Sequence, residues 1–187
     1  MTHIPNGACA IAAGLLVLAE LVAPAPAQPA DLRIVVVRHG EKPPDGNNLS
    51  CEGENRALAL PAVLMHKFGK PDYTYVPSLK LGKSTKHARM FQTVTPFAVQ
   101  QNLTIDSRFA EDDATGVAKE VLKRSGLVLL VWEHSQIEAV AKAIGVKHPP
   151  KWKGDDFDSI WIITPKSGSA TLTTDSEGIS PSPNCPN

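Results

Sequence analysis

Apolar residues along the chain gather in two kinds of run. "LRIVVVRH" (32–39) and "LVLLVWEH" (127–134) are continuous and rich in β-branched residues, the pattern of strands buried on both faces as in a parallel sheet. "DYTYVPS" and "LTIDSRF" predict two shorter strands, and "DSIWIITP" and "SATLTTD" a final antiparallel edge pair. Between these runs, apolar positions recur at helical spacing. "LSCEGENRALALPAVLMHKFG" predicts a helix capped by Ser50, stopped at Gly69 and kinked or split by Pro61. "STKHARMFQTVTPFAVQQ" predicts a second, capped by Ser84 and disturbed near Pro96. "DATGVAKEVLKRSG", ending at Gly126, and "SQIEAVAKAIG" predict a third and a fourth.

The order β-α-β-α-β-α-β-α-β-β predicts a three-layer α/β/α sandwich, with helices on both faces of a mostly parallel sheet. Such sheets bind ligands at the C-terminal ends of their strands. Arg38 and His39 fall where the first strand runs out, and Glu133 and His134 where "LVLLVWEH" does.

The first residues do not share this pattern. "ACAIAAGLLVLA" (8–19) is a short apolar run before Glu20, followed by Ala25-Pro26-Ala27, a small-residue cleavage pattern. It is too short to span a membrane, so residues 1–27 are expected to be a secretory signal peptide, with no membrane insertion once it is cleaved. This predicts a periplasmic or secreted protein. The rest divides into one domain over residues 31–175 and a Pro- and Ser-rich tail, 176–187, expected to be loose. With Cys9 removed, Cys51 and Cys185 remain; in an oxidising compartment an even pair suggests a disulfide, and two unrelated thiols are the equal alternative.

Composition narrows the function classes. The chain of 187 residues is 42% hydrophobic and 20% charged, enough for one compact domain with a real core. Basic and acidic residues number 19 each, so no net charge draws the protein to nucleic acid or an anionic membrane, and any anion site must be local.

Two histidines ending two buried strands, one of them beside an arginine, form a constellation. A third member is Arg89 in "STKHARMFQT", about a turn inside a helix that follows a strand end. Arginines converging on histidines suggest a phosphate, because a planar guanidinium matches two phosphoryl oxygens at once and spreads charge over them in the transition state. A neutral imidazole among them can attack phosphorus.

These stretches resemble the histidine phosphatase superfamily, the phosphoglycerate mutase-like or "RHG" family. The matching pieces are "VVVRHGEK", "LSCEGENRALAL", "STKHARMFQT" and "LVLLVWEHS", in order from about Asp31 to Pro165. The resemblance implies that His39 is the phosphorylated nucleophile, that Arg38, Arg89 and His134 hold the phosphoryl group, and that an acidic residue protonates the leaving group. It implies a small phosphorylated substrate, no metal and no organic cofactor. Met90, Arg56 and the "WEHS" context depart from the family's usual residues, as expected of a divergent subgroup.

The acid is sought in "RFAEDDATG" (108–116), where the family commonly places it. Glu111 is the choice. Asp112 or Asp113 would alternatively cap the next helix, and Glu133 and Glu41 are rivals. Asp155, Asp156 and Asp158 read as turn residues, Lys42 as a solvated loop lysine, His87 as exposed, and His66 and His148 as isolated. A metal site on His39 and His134 lacks further ligands at metal-like spacing. The expected function is phosphomonoester hydrolysis. A mutase or phosphohistidine-protein phosphatase of the same fold, and a pseudoenzyme that binds phosphorylated ligands without turnover, are the alternatives. The short loops "PPDGNN", "SLKLGK" and "KHPPKWKGDD" predict an open site.

Overall fold

A computed structural model describes Met1, residues 31–80 and residues 87–186. Apart from Met1, the expected signal peptide lies outside the described residues, as does Ser84. The elements run β1 (Arg33–Arg38), α1 (Cys51–Phe68), β2 (Tyr73–Tyr75), α2 (Ala88–Gln101), β3 (Ile105–Asp106), α3 (Ala114–Val121), β4 (Leu127–Trp132), α4 (His134–Ile144), β5 (Ser159–Lys166) and β6 (Ser169–Ser176). They form one sheet in the order β3-β2-β4-β1-β5-β6. The first four strands in that order are parallel, and β5 and β6 add antiparallel pairings at one side.

The continuous apolar runs are explained by alternation across this sheet. Ile34 and Val36 of β1, with Val128, Leu130 and Trp132 of β4, pack with α3 and α4. Val35 and Val37, with Leu129 and Val131, face the other way onto Leu60 and Leu64 of α1 and Val94 and Phe97 of α2. Both faces are covered, so every position must be apolar. Each side chain so buried contributes about 2 kcal/mol of transfer free energy.

Helix α1 begins as the sequence predicts, with the Ser50 hydroxyl accepting from the Gly53 amide, and ends at Gly69 in a positive-φ conformation. Pro61 does not split it: the helix is continuous through that residue, which is buried. Pro96 likewise lies inside an unbroken α2. Helix α2 starts at His87, left-handed at φ 57° and without a side-chain cap bond. Asp113 caps α3 through the Gly116 amide, and that helix stops at Val121, short of Gly126. Among the described residues no helix is long and apolar enough to cross a membrane.

The C-terminal tail is fastened, not loose. Asn55 of α1 donates to the carbonyls of Ser182 (2.9 Å) and Asn184 (2.6 Å), the Gly178 amide donates to Asp158 (2.8 Å), and Cys185 is bonded to Cys51 at the start of α1. Glu177, 4% exposed, meets Arg56 at 2.7 Å. Burial pushes its carboxyl up to about 7 even though Arg56 opposes the shift. A crosslink spanning 134 residues stabilises the fold by about 5 kcal/mol on the chain-entropy account. The folded unit therefore extends past residue 175 to include this tail.

Candidate active site

The strand order reverses beside β1. The chain leaves it through α1 to β2 and β3 and returns to place β4 between β2 and β1. Since Arg38 pairs in register with Trp132, the residues that follow both strands emerge side by side at the crevice this reversal opens.

His39 is fully buried. Its main-chain amide donates to the Trp132 carbonyl (3.3 Å), Nδ1 lies 2.6 Å from the Gly40 carbonyl, and Nε2 is turned to the Glu133 carboxylate. Gly40 and Gly53 let the loop after β1 press against the start of α1. A Cβ at Gly40 would come within 2.7 Å of the Gly53 carbonyl, and one at Gly53 within 2.2 Å of the Glu41 carbonyl. The Gly40 amide donates to the Thr93 hydroxyl (2.9 Å), which donates to the Arg89 carbonyl (2.8 Å). This tie sets the loop after β1 against α2.

Arg38, 1% exposed, donates through one nitrogen to the carbonyls of Gly154 (2.9 Å) and Asp156 (3.0 Å) and lies 3.7 Å above the Phe157 ring. Its second terminal nitrogen lies 3.3 Å from His134 Nδ1. Burial lowers it to about 10, against the charges of Glu133, Asp156 and Glu41, so it remains a cation at neutral pH. Burial, aided by the Arg38 charge, also holds His134 below the ordinary imidazole range. Arg89 donates to the Gly46 carbonyl (3.2 Å) and reaches within 3.7 Å of Glu133. Among the described residues, the Nε atoms of both Arg38 and Arg89 are buried without a partner. Buried donors of this kind are costly until an acceptor arrives, and a phosphoryl oxygen is such an acceptor.

Glu111 reaches the same rim. Its carbonyl accepts from Trp132 Nε1 (2.9 Å), and its carboxylate contacts His87, so His87 is engaged at the site and not an exposed bystander. Burial, the Glu133 charge and the Asp112 charge raise the Glu111 carboxyl against Lys80 and Arg89. Glu41, a rival acid, is instead taken up by Arg56 in a two-pronged pair of 2.7–3.0 Å. Asp156 serves its turn, accepting from the amides of Asp158 and Ser159 and from the Ser159 hydroxyl. Lys42, His66 and His148 are exposed.

The most consequential residue outside the expected set is Glu133, 8% exposed. Its Oε2 lies 3.0 Å from His39 Nε2 and its Oε1 touches His134 Nδ1. Burial would raise this carboxyl, but the hydrogen bond from His39 and the charges of His39, His134 and Arg89 hold it at about 2. It supplies the third ligand atom that sequence spacing did not reveal: His39, Glu133 and His134 offer three such atoms within 4.8 Å of one another. The two flanking guanidiniums repel a metal cation, so the hollow suits an anion. Arg56, Thr93, Gly154 and Phe157 were also missed as site-shaping residues; Arg56 and Thr93 carried a signal, falling inside motif segments. Beside His134 lies a cavity of about 380 Å³, bordered by Lys151, Trp152 and Gly154.

Arg89→Lys keeps the charge and loses the fork. We expect turnover of a phosphomonoester to fall about 10-fold or more, since one charge-assisted hydrogen bond is worth about 1.5–3 kcal/mol. Steady-state kinetics check this, and unchanged values would place Arg89 outside the working site.

No protein-family model matches the sequence, and no curated protein matches it. Solved structures do. The protein histidine phosphatase SixA complexed with tungstate superposes with a TM-score of 0.60 at 15% identity, covering 78% of this chain and 97% of that one. A mycobacterial glucosyl-3-phosphoglycerate phosphatase with inorganic phosphate gives 0.56 at 17%, covering 79% and 99%. Phosphoglycerate mutase from Bacillus anthracis str. Sterne gives 0.52 at 15%, covering 79% and 93%. The chain therefore has the same α/β/α fold as these structures, the phosphoglycerate mutase-like sandwich.

Proposed function

We propose that this protein is a metal-independent phosphomonoester hydrolase working through a phosphohistidine on His39. The observation that carries the reading is the orientation of the imidazole: Nδ1 is committed to the Gly40 carbonyl, while Nε2 is turned to the position of the Glu133 carboxylate, which Arg89 and His134 also meet. Nε2 attacks phosphorus and the P–O bond to the leaving group breaks. Arg38, Arg89 and His134 hold the equatorial oxygens, and Glu111 gives its proton to the departing alkoxide. Water then takes the phosphoryl group from His39, losing its proton to Glu111. The likeness to a protein histidine phosphatase and to a phosphatase with bound phosphate supports the substrate class. We further propose that residues 1–27 direct export to the periplasm or outside the cell, and the Cys51–Cys185 disulfide supports an oxidising destination.

Purified protein should release p-nitrophenol and inorganic phosphate from p-nitrophenyl phosphate, with the rate unchanged in EDTA. Loss of activity in EDTA would refute metal independence. Phosphate binding without turnover would leave a ligand-binding protein of the same fold.

A further inference from the structure

The carboxylate of Glu133 lies where a phosphoryl group would have to lie. Its oxygens meet the nucleophilic nitrogen (3.0 Å), Arg89 (3.7 Å) and His134, all members of the proposed cradle. The partners of His39 are equally telling. Nδ1 faces a carbonyl oxygen and Nε2 a carboxylate oxygen, and both partners only accept hydrogen bonds. Each ring nitrogen must therefore carry a proton. An imidazolium has no lone pair at Nε2 and cannot attack phosphorus, so that proton has to leave before chemistry starts.

We propose that Glu133 is a further catalytic residue, whose carboxylate holds the phosphoryl position until substrate displaces it, takes the Nε2 proton of His39 in that exchange, and returns the proton after hydrolysis. The proposal rests on the phosphohistidine reading above and adds to it a second carboxyl with a separate task. The groups facing Glu133 are Arg38 at the end of β1, His39 after it, Arg89 of α2, Glu111 before α3 and His134 of α4. While the carboxylate lies among these cations it stays ionised. A phosphoryl dianion that takes over Arg38, Arg89 and His134 removes that support and sets a like charge beside it, so the carboxylate now binds the proton more strongly.

The protons balance over the cycle. The N–H bond of Nε2 breaks and an O–H bond forms on Glu133, leaving both groups neutral. Nε2 then forms the N–P bond as the leaving oxygen departs with the Glu111 proton. In the second half, water adds to phosphorus and gives a proton to Glu111. The N–P bond breaks with its electron pair returning to Nε2, and Glu133 hands its proton back.

The test compares wild type with the isosteric Glu133→Gln and with Glu133→Ala. Nitrogen NMR of labelled histidine at pH 7 should show His39 protonated on both nitrogens in wild type and neutral in Glu133→Gln. Calorimetry should show inorganic phosphate binding about 10-fold or more tightly to either variant, because a like charge has left the anion's position. Glu133→Gln should give a burst of p-nitrophenol followed by a slow steady state, since no carboxylate returns to displace the tightly held product phosphate before the next turnover. A neutral His39 in wild type, or phosphate affinity unchanged or weaker in both variants, overturns the proposal, as does an unaltered steady state without a burst. Tighter phosphate binding by the variants together with no hydrolysis by wild type would support Glu133 as occupant of the anion position and overturn the hydrolase reading instead.

Discussion

His39→Ala should abolish the covalent intermediate and lower p-nitrophenyl phosphate turnover by at least about 10³-fold, because removing a nucleophile removes the path and not one interaction along it. Brief incubation with a labelled phosphomonoester and an alkaline quench should trap an acid-labile phosphoryl group on wild type and none on the variant. The Gly40 carbonyl fixes the ring through Nδ1, and the Gly40 amide is fixed in turn by Thr93, so the ring keeps its orientation while the other nitrogen exchanges its partner. Circular dichroism separates loss of chemistry from loss of fold, which matters for a fully buried side chain. Label persisting on His39→Ala would move the nucleophile elsewhere, His134 being the next imidazole, 6.4 Å away between ring centroids.

Glu111→Gln should slow hydrolysis of an alkyl phosphate by about 100-fold while sparing p-nitrophenyl phosphate, because a general acid matters most when the departing oxygen is a poor leaving group. The same residue sets a pH limb. Burial and the neighbouring Glu133 charge raise its carboxyl, so it keeps its proton to higher pH than an ordinary glutamate. The acid form is the active one. Alkyl phosphate hydrolysis should therefore fall as pH rises through that raised value, and the limb should vanish in Glu111→Gln. Asp113→Asn, which weakens the cap of α3, should affect both substrates alike, as should Asp112→Asn. Equal losses for the two leaving groups in Glu111→Gln, with a selective loss in another variant, would assign the acid to that residue.

The expected core four are drawn together by the fold in a way the sequence allowed one to anticipate. Arg38, His39 and His134 had to lie near one another once two apolar runs were read as adjacent parallel strands, because strand ends in register share a crevice. Arg89 could be read from its position early in a helix after a strand end and from its motif; Ser84 is outside the described residues, and the helix that carries the arginine starts at a left-handed His87 that no capping rule signals. The tail was misread for a related reason. Its Pro- and Ser-rich composition describes a segment with little to bury, yet Glu177, Asn55 and Cys185 anchor it through partners more than 100 residues away. Proline gave a false signal in both helices, which run unbroken through a buried Pro61 and a half-buried Pro96.

The sequence by itself determined the alternation of strands and helices, the sandwich that follows from it, and the identity of the groups at two strand ends. Those features arise from local periodicity and from the geometry common to all such sheets. Only the tertiary structure decided what each group touches. That Glu133 enters the hollow while Glu41 turns away to Arg56 depends on which buried cation each carboxylate meets. Their places beside two histidines look alike in sequence, and a charge taken out of water must settle on the partner within a few ångströms, a distance the fold alone sets.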